Sequence, residues 1–393
     1  MVRPRWKALV GSLGFFLLPL LGAGCRQEQQ PVSRNEGAVD PAGSGKSVRL
    51  GAVLSLTGPA GTMGGESLNG LKLAIEDINA RGKVHLDLRV YDDKTDPNEA
   101  AKLIQQVVQV DRVQAIVGPS TSPNCLRTGR LIQDLAVPAM TPTATNAGVT
   151  QSGEYMSRVC FIDPFQGEAL AQFARKDLGF RSAELIVDKA NDYSVGLADS
   201  FRSTFKKLGG EIVGEMTYST GDADFAALIA KAARSEAQVL VIPGWYSDVG
   251  LMLRQAGRKW DKFTLLGGDA WDSPQLFELS GGNIHNAYIS THYAVDEPNP
   301  RVQGFVNRYI KVYKLKPGGF AALGYDTGLA FEDAILRAKS LTPAAIKDAI
   351  NSIRGLQGVT GEITLNSNRD AVKPATIVEV LPNGYRFKTR ISG

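Results

Sequence analysis

Short apolar segments alternate with longer amphipathic segments from Val48 to about Thr291. A first series contains SVRLGAVLSL, VHLDLRVY, AIVG and VPAM, and a second contains AELIVD, EIVGEMTY, AQVLVI and FTLLG. A helix between two strands is the connection that parallel strands require, and it covers one face of the sheet. Two such series in a chain of 393 residues predict an α/β fold with two doubly wound parallel-sheet lobes.

The boundaries between the lobes are expected where one series ends and the next begins. The first series stops at Asp163-Pro164, and the second ends near Thr291. We therefore expect the chain to enter the second lobe after residue 163 and to leave it near residue 293. Three helical segments follow, and then the short alternating strands GEITLN, ATIVEVL and YRFKTRI.

The N-terminus has the features of an export signal. Residues 1–24 begin with basic side chains, continue with an apolar stretch too short to span a bilayer comfortably, and end in small residues before Cys25. This ending is similar to a bacterial lipobox, so we expect a lipoprotein signal peptide and lipidation of Cys25. Ordinary cleavage with a free Cys25 is the alternative. Residues 25–47 lack apolar periodicity and predict a flexible tether at the outer face of a membrane.

Charge and cysteine content narrow the class of protein. Three of the 44 basic residues lie in the signal segment, which leaves 41 basic against 40 acidic side chains, so nothing favours nucleic acid as a partner. Cys125 and Cys160 are expected in an oxidising compartment, where a disulfide is permitted. Separate burial of the two thiols is at least as compatible with the sequence.

Hydroxyl side chains crowd the loops that follow two neighbouring strands of the first series. Pro119 to Pro123 follow AIVG, and Thr141 to Thr145 follow VPAM. Parallel strands present their carboxyl ends at one edge of a sheet, where ligands bind. The first loop also leads into a helix, whose positive dipole end favours an anion. Hydroxyl donors without a lysine or an adjacent base suit the binding of a small carboxylate.

The second series repeats this arrangement with different side chains. Trp245 and Tyr246 follow one strand, Asp269 follows the next, and Tyr193 lies at a helix start. An aspartate at a strand end pairs well with an ammonium group, and aromatic rings cover the ammonium and an adjoining apolar stem. A carboxylate site on one lobe and an amine site on the other indicate an α-amino acid ligand.

Each of these residues also has a purely structural interpretation. Asp269 would cap the short helix that begins at WDSPQ, and Trp245 and Tyr246 would be core or rim aromatics. Thr121 and Ser122 would cap the helix that they precede. The residues alone leave these alternatives open, although their matching positions in two series favour a binding site.

Neither catalysis nor metal binding is supported by the sequence. His85, His285 and His292 lack metal-ligand spacing, and neither a GxSxG elbow nor a P-loop is present. The SxxK motif at Ser203 lies within a helical segment, where a solvated face is expected. Asp96 is expected to cap the following helix rather than to bind a metal. We therefore expect a protein that is not an enzyme and that uses no cofactor.

Several segments together resemble a known family. VRLGAVLSLTGPAGTMGGESLNGLKLAIEDINA, VYDDKTDPNEA, IVGPSTS, TPTATN, RVCFIDPFQGEALA, GGDAWDSP, STHYAVDEPNPRV and FAALGYDTG occur in this order. Over essentially all of residues 48–390 they resemble the type I periplasmic substrate-binding proteins of branched-chain (leucine, isoleucine, valine) amino acid ABC transporters. The resemblance implies a hinge with three crossings, the third near residue 356. Lobe 1 is then residues 48–163 plus 294–355, and lobe 2 is residues 164–293 plus 356–393.

The resemblance also assigns residues to the ligand. The residues that match Ser122, Thr143 and Thr145 hold the ligand carboxylate in that family. Tyr193 matches a tyrosine that approaches the amine, and Asp269 matches the acid that pairs with it. The expected ligand-binding set is Thr121, Ser122, Thr143, Ala144, Thr145, Tyr193, Trp245, Asp269 and Met63. The side-chain preference stays open between an aliphatic amino acid, an aromatic amino acid and a small amide.

The function implied by the resemblance is capture of an amino acid outside the cytoplasm. The two lobes are expected to close on the ligand like a Venus flytrap, and the monomeric lipoprotein is expected to deliver it to an ABC permease in the membrane. A ligand-sensing subunit that docks on a membrane receptor is the alternative, because the same cleft would serve it.

Overall fold

A computed structural model describes residues 45–382 and 384–392 of the chain. The expected signal peptide of residues 1–24, the lipidation site Cys25 and the tether up to residue 44 lie outside the described residues. Within the described ranges, none of the helices combines the length and the hydropathy that a membrane span requires.

The first lobe is built on parallel strands with helical connections. Its elements in chain order are β1 (Lys46–Leu54), α1 (Gly61–Arg81), β2 (Val84–Asp92), α2 (Pro97–Gln109), β3 (Ala115–Val117), α3 (Ser122–Leu135), β4 (Ala139–Thr141) and β5 (Met156–Arg158). All five strands are parallel, in the order β2-β1-β3-β4-β5. The short strands β3 and β4 are entirely buried, as expected for a sheet that is covered on both faces.

The second lobe repeats the alternation. Its first pass contains α4 (Asp163–Gln172), β6 (Ser182–Asp188), α5 (Asp192–Lys207), β7 (Glu211–Tyr218), α6 (Ala226–Ala232), β8 (Val239–Val241), α7 (Tyr246–Ala256), β9 (Thr264–Gly267), α8 (Pro274–Ser280) and β10 (Ala287–Thr291). These strands pair in parallel, in the order β10-β9-β8-β6-β7. The two strand series of the sequence thus form two separate sheets.

The last third of the chain contributes helices and strands to both lobes. It contains α9 (Pro300–Tyr313), α10 (Gly319–Arg337), α11 (Pro343–Asn351), β11 (Leu356–Gly358), β12 (Gly361–Leu365), β13 (Ala371–Val372), β14 (Ala375–Leu381) and β15 (Gly384–Ile391). Strands β11, β12 and β13 form a small antiparallel sheet. Strands β14 and β15 instead extend the second sheet from β10, in antiparallel pairing.

The third hinge crossing lies later than the expected position near residue 356. Ile363, Leu365 and Ala371 are buried in the core of the first lobe, together with Leu323 and Phe331 of α10. The chain therefore joins the second lobe only between β13 and β14. Short alternating strands look the same in sequence whichever lobe covers their apolar face, so the sequence pattern contains no signal for this crossing.

Two local alternatives from the sequence are resolved by the structure. The Asp96 side chain accepts hydrogen bonds from the backbone N–H groups of Asn98 and Glu99, so it caps α2 as expected. Cys125 and Cys160 are buried as free thiols. Their Sγ atoms lie 3.3 Å from the carbonyl oxygen of Pro119 and 3.4 Å from that of Ala144, respectively. Separate burial, rather than a disulfide, is the correct interpretation.

Helices α1 and α10 pack almost backbone to backbone. A methyl group placed on Gly70 would lie 1.8 Å from the carbonyl oxygen of Ala321, and one on Gly324 would lie 2.0 Å from that of Ser67. Only glycine permits this approach, because any side chain would overlap the facing helix. The contact fixes α1, which follows β1 and leads away from the edge where ligand loops are expected.

We predict that Gly70→Ala destabilises the protein by about 1–3 kcal/mol or more, because the methyl group forces the two helices apart. Gly65→Ala is the matched control in the same helix, since a methyl group there meets nothing within 4 Å. It should leave stability unchanged or raise it by up to about 1 kcal/mol. Urea unfolding measures both variants. Equal stability of Gly70→Ala and wild type would contradict this account of the helix contact.

Candidate functional site

Six loops at the carboxyl ends of strands meet where the two sheets face each other. They enclose a cavity lined by Met63, Ser120, Thr121, Ser122, Thr143, Tyr193, Trp245, Asp269 and Ala270. Its volume is about 10 Å³, roughly the room for one water molecule. The lobes are therefore closed on each other. Seven of the nine ligand residues expected from the sequence line this space, and Ser120 and Ala270 are additional.

The first-lobe wall offers hydroxyl hydrogens. Thr121 is the N-cap of α3, and its Oγ1 accepts from the backbone N–H of Asn124. Ser122 begins the helix, and its Oγ accepts from the backbone N–H of Asn146 at 3.2 Å. A hydroxyl that accepts a bond keeps its own hydrogen for donation. Capping by Thr121 therefore does not exclude ligand binding, and both hydroxyls lie at the positive end of the helix dipole.

Fewer residues of the second hydroxyl loop, Thr141 to Thr145, line the cavity than expected. Thr143 lines the cavity, but its hydroxyl donates to the carbonyl oxygen of Ser120 at 2.6 Å. Ala144 and Thr145 are buried, and neither is among the residues that line the cavity. The backbone N–H of Ala144 donates to Thr141 Oγ1 at 3.1 Å, so it is already committed within the loop.

A buried arginine holds this loop from behind. The side chain of Arg158 is fully buried, and its guanidinium donates to the carbonyl oxygens of Ala144 and Asn146 at 2.7 and 2.9 Å. Its Nε lies 2.7 Å from Asp370 Oδ1, which compensates the buried charge. Asp370 lies between β12 and β13, more than 200 residues after Arg158 in the sequence. Sequence reasoning missed this support, because no local pattern joins residues so far apart along the chain.

Asp269 on the second-lobe wall is buried, with a side chain that is 3% exposed. Its Oδ1 accepts from Gln166 Nε2 at 2.8 Å, and its Oδ2 lies 3.1 Å from His292 Nε2. The cap of α8 is Ser273, which accepts from the backbone N–H of Gln275. The capping alternative for Asp269 is therefore wrong. Within the described part of the chain, neither lysine nor arginine forms an ion pair with this carboxylate.

Burial disfavours the charged forms of three titratable neighbours of Asp269. Burial lowers the pKa of His292 to about 4, although the contact with Asp269 opposes this shift. Burial, and then the negative charge of Asp269, raises the pKa of Asp163 well above its usual range. The same two causes, in the same order, raise the pKa of Tyr193, so its phenol keeps its proton. None of these groups supplies the positive charge that a buried carboxylate needs.

Apolar side chains complete the cavity. Met63, Tyr193, Trp245 and Ala270 belong to one buried cluster, which also contains Phe320 at the start of α10. Trp245 and Tyr193 are thus both core aromatics and cavity walls. Met63 is a first-lobe residue, so this cluster forms across the closed cleft.

Tyr246 does not line the cavity but joins the lobes. Its phenolic oxygen accepts from the backbone N–H of Thr62 at 2.9 Å. A second direct contact runs from Asn146 Nδ2 to the carbonyl oxygen of Asp192, also at 2.9 Å. Both bonds connect loops of opposite lobes beside the ligand residues, so they form only when the cleft is closed.

A larger groove, of about 590 Å³, lies on the first lobe between α1, α9 and α10. Two of its arginines are paired with acids of the same groove, Arg81 with Glu332 and Arg308 with Asp77. Size alone does not make it the functional site. It lacks the buried, uncompensated charge that distinguishes the cavity between the lobes.

Comparison with known proteins agrees with this arrangement. Residues 47–385 match the family described as periplasmic binding protein. Leu/Ile/Val-binding protein homolog 3 of Brucella melitensis is 26% identical over 333 residues, which cover 84% of this chain and 89% of that protein.

Two solved structures share the whole architecture. A leucine-binding protein from Thermotoga maritima is 32% identical with a TM-score of 0.83, over 88% of this chain and 99% of that one. A branched-chain amino acid transporter substrate-binding protein from Streptococcus pneumoniae, solved with isoleucine, is 27% identical with a TM-score of 0.82, over 88% and 99%. The predicted two-lobed α/β fold is thus confirmed, and the chain belongs to the periplasmic binding protein family, among the type I proteins of branched-chain amino acid ABC transporters.

Proposed function

We propose that this protein captures an α-amino acid with a branched or other aliphatic side chain between its lobes and delivers it to an ABC permease. Solute binding for transport is the activity of its family, and transport proteins of this kind are not enzymes. Beyond this family activity, we propose the specific ligand, the residues that bind it and the membrane partner.

The observation that carries the proposal is the uncompensated charge of Asp269. A carboxylate removed from water is costly unless a positive charge or several hydrogen bonds replace the lost hydration. Gln166 and His292 supply two neutral hydrogen bonds, and no lysine or arginine of the described residues supplies a charge. A ligand ammonium group completes the set with a charge-assisted bond.

The opposite wall suits the other end of the same ligand. The hydroxyl hydrogens of Thr121 and Ser122 and the dipole of α3 favour a carboxylate there. Thr143 stands beside them, with its hydroxyl hydrogen donated to the carbonyl oxygen of Ser120 on the same wall. An amino acid bound in this way bridges the lobes, so it stabilises the closed state more than the open state.

The apolar part of the cavity favours an apolar ligand side chain. Met63, Trp245 and Ala270 surround it, and no charged residue other than Asp269 lines the cavity. Relatives named for leucine, isoleucine and valine support an aliphatic side chain. A solute-binding protein from R. palustris with the same fold was solved in complex with benzoate, but at 17% identity it shows the fold alone. Benzoate has no amine and would leave Asp269 uncompensated.

Loading requires the cleft to open. A cavity of about 10 Å³ has no room for an amino acid, and the contacts of Tyr246 with Thr62 and of Asn146 with Asp192 hold the lobes together. Rotation about the three crossings breaks these contacts and exposes both walls. Such hinge closure around a ligand is an established type of transition.

The proposed place of action is the outer face of a bacterial membrane. A lipid on Cys25 and a tether that ends before β1 at Lys46 would keep a monomeric binding protein close to its permease. A ligand-sensing subunit on a membrane receptor is the second candidate. It would use the same cleft but would not support uptake, so uptake of labelled leucine by cells with and without the protein distinguishes the two.

We predict that leucine, isoleucine or valine binds, and that 4-methylpentanoate, which is leucine without its amine, binds on the order of 100-fold more weakly. Loss of the ammonium leaves the Asp269 charge uncompensated. Isothermal titration calorimetry measures both ligands, and leucinamide tests the carboxylate end. Equal affinity for leucine and 4-methylpentanoate, or binding of benzoate alone, would contradict the assignment.

We also predict that Asp269→Asn lowers leucine affinity on the order of 100-fold or more, because the amide keeps the shape of the side chain but not its charge. The thermal unfolding midpoint should remain within a few degrees of wild type. Ser203→Ala is the control, since Ser203 is exposed on α5, and it should bind leucine normally. Unchanged leucine affinity of Asp269→Asn would exclude Asp269 as the amine site.

A further inference from the structure

His292 occupies the point where the hinge meets the ligand site. It follows β10 directly, at the second crossing between the lobes, and is 1% exposed. Its ring stacks on that of Phe161, at 3.9 Å between centroids and 25° between planes. Phe161 lies between β5 and α4, on the first crossing. Residues of two crossings therefore contact each other through the face of this imidazole, whereas its Nε2 edge meets Asp269.

The protonation of the imidazole follows from its partners. The Asp269 carboxylate can only accept, so the His292 nitrogen that faces it at 3.1 Å, Nε2, has the hydrogen. Nδ1 has no hydrogen-bond partner among the described residues. Burial lowers the pKa of His292 to about 4, even though Asp269 opposes this shift. The ring is therefore a neutral donor of one hydrogen bond.

We propose that His292 is a positioning residue that orients the Asp269 carboxylate for the ligand amine without neutralising its charge. This inference rests on the proposed function and adds the determinant of amine selectivity. Gln166 contacts Oδ1 and His292 contacts Oδ2, so in the closed state the plane of the carboxylate is set by the protein. Lysine or arginine in place of either donor would compete with the ligand ammonium for the same charge.

The geometry also links this orientation to the hinge. His292 and Phe161 belong to chain segments that rotate when the lobes separate, so their stacking and the bond to Asp269 depend on the hinge angle. Asp269 itself follows β9 in the second lobe. The carboxylate is consequently held in place best when the hinge is closed, which is the state that grips the amino acid.

The test compares two substitutions. His292→Phe keeps a ring against Phe161 but removes the donor, whereas His292→Gln supplies an amide N–H of similar reach. We expect His292→Phe to lose about 10- to 100-fold in leucine affinity. Its affinity for 4-methylpentanoate should not change, because that ligand makes no bond to Asp269. His292→Gln should stay within about threefold of wild type for both ligands, and His285→Phe, at an exposed histidine, is the matched control.

Several outcomes overturn the inference and leave the proposed function intact. Wild-type leucine affinity in His292→Phe, an equal loss for both ligands, or an equal loss in His292→Gln would each exclude a positioning role. Failure of the wild type to bind any amino acid would instead overturn the proposed function itself.

A spectroscopic measurement on the wild type does not depend on the folding of a variant. The chain has three histidines, and His85 and His285 are exposed, so nitrogen-15 NMR distinguishes His292. We expect a neutral ring with the hydrogen on Nε2 at pH 7, both free and with leucine. A hydrogen on Nδ1, or a cationic ring, would overturn the inference.

Discussion

A buried carboxylate held only by neutral donors is the constraint on which the site depends. Asp269 is almost completely enclosed and contacts Gln166 and His292, yet it forms no ion pair with a lysine or arginine of the described residues. We propose that the free-energy cost of burying this carboxylate is recovered when a cationic group of the ligand binds. In the same proposal, the hydroxyls of the opposite lobe favour a ligand whose other end is anionic.

The architecture places the two walls of the proposed site on separate lobes that face each other. Both walls lie at the carboxyl ends of parallel strands, which is where each sheet leaves its loops free for a ligand. Gly70 and Gly324 let α1 and α10 pack tightly, which gives the first lobe a rigid frame. Arg158 connects the loop of Ala144 and Asn146 to Asp370, which lies just before β13. These contacts stabilise the first-lobe wall, and the proposed hinge motion leaves them intact because they lie within one lobe.

The sequence was sufficient to locate the site residues that directly follow strands. It did not reveal residues that support the site from distant positions in the chain. Ser122, Trp245 and Asp269 were predictable because parallel strands bring their carboxyl ends to one edge. Ala144 and Thr145, also expected to bind the ligand, do not line the closed cavity, because the direction in which a loop turns is not encoded by strand periodicity. His292 and Gln166 contact Asp269 only through the folded hinge, and no motif marks either of them. The third crossing was misplaced for a similar reason, since short alternating strands suit either lobe.

The most direct measurement is a crystal structure of the protein with leucine. The account predicts closed lobes, with the ligand nitrogen within about 3.2 Å of an Asp269 carboxylate oxygen and the ligand carboxylate at the hydroxyl of Ser122. A reversed ligand, with its carboxylate beside Asp269, would contradict the central claim. Leucine bound anywhere else while the space between the lobes stayed as it is would contradict it equally.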